Sequence, residues 1–302
     1  MESFQKMLNA QLILIVYLLI GLYCCKKQLI DDRTRKKLID LILQITLPCM
    51  IFHSFNKPLT PEILKETAAI LCVALMISVI SYLSGKILYR RYPYEKKSIL
   101  QYATLVNNSG FLGMPMVSAV YGTDGLFYAS IFIIPNRIFM WTAGMGLFTR
   151  SDFKTKCKNI LLNPCILAVV FGLARRLFQI PFPEFLDTAI NNVGAVTTPL
   201  SMIVIGTMLT GISIASLMDP SIFYLTAVRL IGLPLIALAA LKLLHMDPML
   251  TGISLILTGM PAGSTTALLA AKYGADAEFA SKCVVTTTLL SLITIPLLML
   301  LI

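Results

Sequence analysis

Charge is what this 302-residue chain has least of. Only 13% of its positions are Asp, Glu, Lys or Arg, about half of the roughly 25% that keeps an ordinary soluble domain wet. No stretch is dense enough in charge to build a separate soluble domain. Seven cysteines (Cys24, Cys25, Cys49, Cys72, Cys157, Cys165 and Cys283) are scattered, most of them inside apolar runs, where the thiol behaves as a small hydrophobe. None has zinc-type or CxxC spacing, so a metal clamp or redox pair is excluded, and no cofactor or metal is expected. HExxH motifs, paired intramembrane carboxylates and Ser/His pairs in register are also missing, which argues against a membrane-embedded enzyme. Nor does the chain show the repetitive pore rings of a channel.

Apolar residues are there in excess, at 57% with a mean hydropathy of +0.81. A bilayer core about 30 Å thick requires roughly 20 apolar residues of helix. Ten segments meet that requirement: Leu8–Cys25, Leu38–Phe55, Ile63–Tyr89, Ser98–Val120, Leu126–Phe148, Ile160–Phe178, Asp187–Ile212, Ile222–Leu244, Leu250–Tyr273 and Glu278–Leu301. The fold class is therefore an all-α integral membrane protein with ten transmembrane helices. Met1 to Lys6 leads into the first segment without a small-residue cleavage site, which reads as a retained helix rather than a signal peptide. The net charge of +10 would suggest nucleic acid in a soluble chain, but these cations sit in short loops, and no nucleic-acid partner is expected. Sixteen of them fall in the odd-numbered loops against six on the other side. By the positive-inside rule the odd loops are cytoplasmic and both termini face outward, in a multi-pass protein of the cell membrane.

Two stretches repeat. Tyr121-Gly122-Thr123-Asp124-Gly125-Leu126-Phe127 leaves the fourth segment and Tyr273-Gly274-Ala275-Asp276-Ala277-Glu278-Phe279 leaves the ninth; both read Y-G-x-D-x-x-F. Each joins the last two helices of a five-helix unit. Five is odd, so the second unit enters the membrane in the opposite sense, as in the inverted repeats of many secondary transporters. The expected division is 1–150 for the first repeat and 151–302 for the second.

The same two segments are interrupted upstream. The fourth holds Asn107-Asn108-Ser109-Gly110 before Gly113-Met114-Pro115, and the ninth holds Gly259-Met260-Pro261-Ala262-Gly263-Ser264-Thr265-Thr266. Superposing the Y-G-x-D motifs sets Asn108 and Ser109, not Pro115, beside Pro261, which predicts the first break at Asn107–Gly110. Proline removes a backbone donor and glycine tolerates unusual dihedrals. Freed backbone groups cannot face lipid, so paired breaks point to a midplane binding site, and half-helix N-termini there favour anions. Candidate substrate-binding residues are Asn107, Asn108, Ser109, Gly110, Pro261, Ala262, Gly263, Ser264 and Thr265. Asn136 and Arg137 join them, because a cation within an apolar run marks a pathway or a partner. Snorkelling or a structural pair with a carbonyl end is the other reading of Arg137, and the same pair of structural readings is the expected one for Arg229, nearer a helix start. His53 reads as an interfacial or packing residue. Thr197, Thr198 and Ser201 could complete the site, although hydroxyls on membrane helices also bond their own backbone.

Asn107–Pro115 followed by Tyr121-Gly122, and Met260-Pro261-Ala262 followed by Lys272-Tyr273-Gly274, resemble the auxin efflux carrier family, the plant auxin exporters and their bacterial and archaeal relatives. Leu47-Pro48 through Phe52-His53 and the last helix with Pro296 are similar too. The resemblance implies a scaffold of helices 1, 2, 6 and 7, and a transport domain of helices 3–5 and 8–10 crossing at broken helices 4 and 9. It further implies elevator-type alternating access, carboxylate substrates such as malate, malonate or auxin, and a homodimer through the scaffold. Plant members carry proline where this chain has Asn107, which predicts a softer first crossover and weighs against auxin itself. Sodium or proton coupling stays open: carbonyl, Asn, Ser and Thr oxygens can hold sodium without a carboxylate. The expected function is a secondary transporter of small organic anions; a ligand-binding membrane sensor or a channel are the alternatives.

Overall fold

The computed structural model describes residues 2–55, 60–149, 153–208 and 219–302. Lys57, Arg150 and the end of the seventh expected segment, 209–212, lie outside the described residues. Helices build the fold, and no strand occurs among the described residues. In chain order they are α1 (Glu2–Lys26), α2 (Asp32–Leu41), α3 (Leu47–Ser54), α4 (Pro61–Leu88), α5 (Tyr94–Leu105), α6 (Met114–Phe139), α7 (Phe153–Leu161), α8 (Pro164–Leu177), α9 (Glu184–Ala195), α10 (Thr197–Met208), α11 (Pro220–Ala227), α12 (Leu233–Leu243), α13 (Pro248–Thr258), α14 (Thr265–Lys272) and α15 (Ala277–Met299). Singly or joined end to end, they give 6 stretches among the described residues that are long and apolar enough to cross a membrane: Asp32–Ser54, Pro61–Leu88, Ser109–Leu147, Glu184–Met208, Pro220–Leu243 and Ala277–Met299. The chain is an integral membrane protein.

Local chemistry sets the helix starts. Asn163-Pro164, Asp219-Pro220 and Asp247-Pro248 each place a capping side chain before a proline at the first helical position. Oxygen acceptors there satisfy the orphan N–H groups, and proline has no N–H to orphan. Inside the long stretches, π-helical turns occur at Ile42–Thr46, Ser109–Gly113 and Val228–Gly232. Each of these three ends two residues before a proline, Pro48, Pro115 and Pro234, whereas a fourth wide turn, Met140–Gly144, has none after it. Widening the turn accommodates a ring that would clash with the preceding carbonyls. The helix therefore runs on past these prolines. At the two Y-G-x-D motifs glycine carries the turn: Gly122 (φ 63), which breaks α6 into two helices, and Gly274 (φ 72) take positive φ, which costs glycine little. Asp276 of the second motif then caps α15 through Phe279 N–H at 2.8 Å.

The chain forms two compact units, each discontinuous in sequence. One comprises Met1–Ala69, Gly110–Ile131 and Leu161–Gly211. In it α1 packs on α10 at Gly21 and Gly206, and α3 packs on α8 and α9, where Gly172 faces Phe55 and Gly194 faces the backbone of Met50. Small residues let membrane helices approach closely, since lipid offers no hydrophobic drive to hold them together. Phe55 meets the edge of Phe127 at 5.0 Å, and the buried Arg176 lies 4.5 Å over the Phe127 ring. Tyr128 donates its hydroxyl to the Glu66 carboxylate in α4.

The other unit comprises Ile70–Ser109, Phe132–Ile160 and Ile212–Ile302. Tyr89, Ile99, Leu100, Ile222, Leu225, Phe279 and Cys283 fill its core. At one edge Lys96 of α5 donates to Asp219 Oδ2 at 2.7 Å, while Ser221 N–H donates to Oδ1 at 2.8 Å. Burial pushes the Asp219 carboxyl up, but Lys96 and Ser221 outweigh it and hold it at about 2. A carboxyl lowered on folding stabilises above its unfolded pKa and loses that contribution only as pH falls through the folded value. The difference in melting temperature between the parent and Asp219→Ala should therefore hold constant from about pH 8 to pH 5 and shrink only below about pH 4. Thermal unfolding of both proteins across that range in a mild detergent measures it. A gap that closes near neutral pH would contradict the assignment.

Candidate functional site: two broken helices that cross

Within the second unit two helices stop in mid-course. α5 ends at Leu105 and α13 at Thr258, and both continue as extended chain. Asn107 and Ala262 pair there as an isolated antiparallel bridge. Asn108 N–H donates to the Pro261 carbonyl at 2.8 Å, and Gly263 N–H to the Val106 carbonyl at 3.0 Å. Interior backbone away from water must find partners; these two segments find them in each other. Ala262 N–H, which points away from the bridge, goes to Thr287 Oγ1 of α15 at 3.1 Å.

Asn107 does more than fill a turn. Its Nδ2 donates to the Leu257 carbonyl in the last turn of α13 at 2.7 Å, and its Oδ1 accepts from Ser109 N–H at 3.3 Å. One side chain thus ties the first break to the end of the second helix. A proline could make neither bond, so hydrogen bonds here stand where plant members have ring rigidity. The first break covers Val106–Asn108: Ser109 and Gly110, expected within it, already belong to the wide turn Ser109–Gly113. Gly110 falls in the other unit.

Arg229 holds the ends of both broken helices. It projects from the turn Val228–Gly232 and is 1% exposed. Its Nη1 donates to the Thr104 carbonyl at 3.2 Å, Nη2 to Thr258 at 2.9 Å and Nε to Met260 at 3.1 Å. Thr104 and Thr258 lie in the last turns of α5 and α13, where carbonyls lack helical partners and the dipole is negative. A buried guanidinium satisfies both ends at once. Of the two structural readings of Arg229, snorkelling and a pair with a carbonyl end, the contacts are of the second kind, and they reach two helix ends.

The start of α14 supplies the opposite polarity. Ser264 precedes it without making a side-chain cap bond, and Thr265 Oγ1 accepts from Tyr102 Oη at 3.1 Å. Tyr102 is fully buried in an aromatic cluster with Phe139, Trp141 and Phe148. Asn136 Nδ2 donates to the Leu105 carbonyl at 3.2 Å. Asn136 Oδ1, Arg137 Nε, Ser109 Oγ and Thr266 Oγ1 are buried and lack a hydrogen-bond partner among the described residues. Buried polar atoms are nearly always paired, so these four, like others elsewhere in the chain, are open to a further partner. Arg137 is half-buried, with Nη1 3.6 Å from Met140 Sδ.

The remaining candidates lie in the other unit. Ser201 Oγ donates to the Thr198 carbonyl at 3.2 Å, back onto its own helix. His53 Nδ1 is 3.9 Å from Asp187 Oδ2. Among the described residues no group of three or more His, Cys, Asp or Glu side chains could hold a metal ion. Tyr102 and Thr287 were missed in the sequence. A run of three threonines, Thr286–Thr288, inside an apolar helix was the signal available for the second.

The arrangement gathers amide, hydroxyl and guanidinium groups around two helix breaks. Comparison with known proteins agrees with a transport role. A membrane transport protein family model matches residues 7–299. An uncharacterized transporter of Methanocaldococcus jannaschii is 25% identical over 96% of this chain and 97% of its own length. One of Methanothermobacter thermautotrophicus is 23% identical over 94% of each. A Rhizobium meliloti protein named "Putative malonate transporter" is 22% identical over 84% of this chain and 82% of its own. The chain belongs to this membrane transport family, that of the auxin efflux carriers.

Proposed function

We propose that this protein is a secondary carrier of small organic anions, with carboxylates of malonate or malate size as substrates. The observation that carries the reading is the crossover: paired breaks bridged at Asn107 and Ala262, beside the buried Arg137 Nε donor and the Ser109 and Thr266 hydroxyls, which have no partner among the described residues. Half-helix N-termini and amides recognise a carboxylate without a fixed ion pair. Ten helices in two inverted five-helix repeats, related through the Gly122 and Gly274 turns, give alternating access of the elevator type. Both termini face outward in this topology. The name of the Rhizobium meliloti relative points to the same substrate class.

The test is uptake of labelled malonate and malate into proteoliposomes, with and without sodium or proton gradients, beside Asn108→Ala. A hydrogen bond to a charged group contributes about 1.5–3 kcal/mol, so uptake at low substrate should fall roughly 10- to 100-fold in the variant. Normal saturable flux in Asn108→Ala would remove that residue from the site. Folded, inserted protein that moves no carboxylate would turn the reading to a ligand-binding sensor.

A further inference from the structure

Arg229 stands about midway along its membrane stretch. Pro220–Leu243 is long and apolar enough to cross the bilayer, and the nine residues from Pro220 to Arg229 rise about 14 Å as helix. Half of a hydrocarbon core about 30 Å thick has that length. A side chain 1% exposed at that depth cannot snorkel to the interface. Guanidinium stays charged at any physiological pH, so its charge has to be met inside the protein. Backbone carbonyls meet it: those of Thr104, Thr258 and Met260 all lie within 3.2 Å of its nitrogens.

Oxygens of this kind are what a mobile cation takes. In secondary carriers, unwound backbone carbonyls and the C-terminal ends of half-helices near the midplane coordinate the coupling sodium, because a hard cation prefers oxygen ligands. Thr104 and Thr258 lie in the last turns of α5 and α13, and Met260 in the extended chain that follows α13. Thr258 also carries a hydroxyl, buried and without a hydrogen-bond partner among the described residues. The guanidinium takes the carbonyls for itself. A second cation beside it would meet like charge where the dielectric is low. Tethered to its own backbone, the charge cannot leave towards either side, as a coupling ion must in every cycle.

We infer that Arg229 is a built-in replacement for a mobile cation: its guanidinium fills a carbonyl site that binds sodium once the side chain is removed. The crossover then carries its anion with no sodium ion beside it. Sodium-free flux presupposes the carrier function; the cation site does not.

Thermal unfolding of the full chain in mild detergent, in sodium chloride against choline chloride at equal ionic strength, tests the site. The parent and Arg229→Lys, which keeps a tethered charge, should each melt at the same temperature in both salts. Arg229→Ala should melt about 2–4 °C higher in saturating sodium than in choline. Loss of hydrogen-bond donors alone predicts no such rise, since sodium donates none. If Arg229→Ala does not fold, Arg229→Gln, which keeps amide donors without the charge, takes its place. In proteoliposomes the parent should take up malonate at the same initial rate with an inward sodium gradient and with choline on both sides. Absence of any uptake would count against the carrier function alone, because the melting temperatures decide the cation site independently. Sodium-driven uptake or a sodium-dependent melting temperature in the parent, or no sodium effect in the uncharged variant, would each overturn the assignment.

Discussion

Replacing Arg229 with methionine should undo the crossover and cost roughly 3–5 kcal/mol of stability, the scale of removing one side of a buried charged contact. Three carbonyls, of Thr104, Thr258 and Met260, lose their shared donor, and each buried acceptor left unpaired costs on the order of 1–3 kcal/mol. Apolar replacement of a buried ion pair is often harmless because both partners are replaced together. Here the partners are backbone atoms that no mutation can remove, so methionine fills the volume and leaves the deficit. Lysine should give an intermediate loss: its ammonium is compact and cannot reach three diverging carbonyls as the planar fork does. Thermal unfolding in mild detergent, run beside malonate uptake, distinguishes two effects. A drop in melting temperature in the order methionine, lysine, parent supports the structural role. An unchanged melting temperature with flux abolished would mean that Arg229 acts on the substrate instead.

The parts of the fold that follow from local chemistry were legible before any coordinates. Pro61–Leu88 and Ala277–Met299 are stretches whose length and apolarity alone imply a membrane span. Gly122 and Gly274 share a motif and share positive φ, because the turn requires what glycine alone gives cheaply. The candidate site was legible only in part. Asn107, Asn108, Pro261, Ala262 and Gly263 do meet, since unpaired backbone in a membrane needs a partner. The limits of the first break were misjudged because Pro115 is absorbed by a wide turn, which leaves Ser109 and Gly110 helical. Arg229 shows the deeper limit. Its three acceptors are carbonyls, present in every residue, so no side-chain pattern announces them. Tyr102 lies in the same gap: its partner Thr265 is 163 residues away in the sequence.

Gly21→Ala and Gly206→Ala should each destabilise the first unit by about 2–3 kcal/mol, at the upper end of what overpacking costs. At Gly21 an added Cβ would stand 2.0 Å from the Ile203 carbonyl oxygen, and at Gly206 it would stand 2.1 Å from that of Leu18. Backbone oxygens cannot rotate out of the way as a flexible side chain can. α1 and α10 must then separate or slide, and every van der Waals contact along the pair weakens together, since attraction falls steeply over a fraction of an ångström. Lipid as apolar as the side chains would fill the gap without a hydrophobic penalty to reverse the separation. The double variant should lose less than the sum of the two, because helices already parted by one methyl have room for the other. Gly146→Ala is the control: nothing lies within 4 Å of its added Cβ, and its effect should stay within about 0.5 kcal/mol. Melting temperatures of the parent and the four variants in one detergent settle the point. Additive losses would mean that the two glycines sit in separate contacts, and no loss at either would mean that α1 does not approach α10 this closely in the membrane.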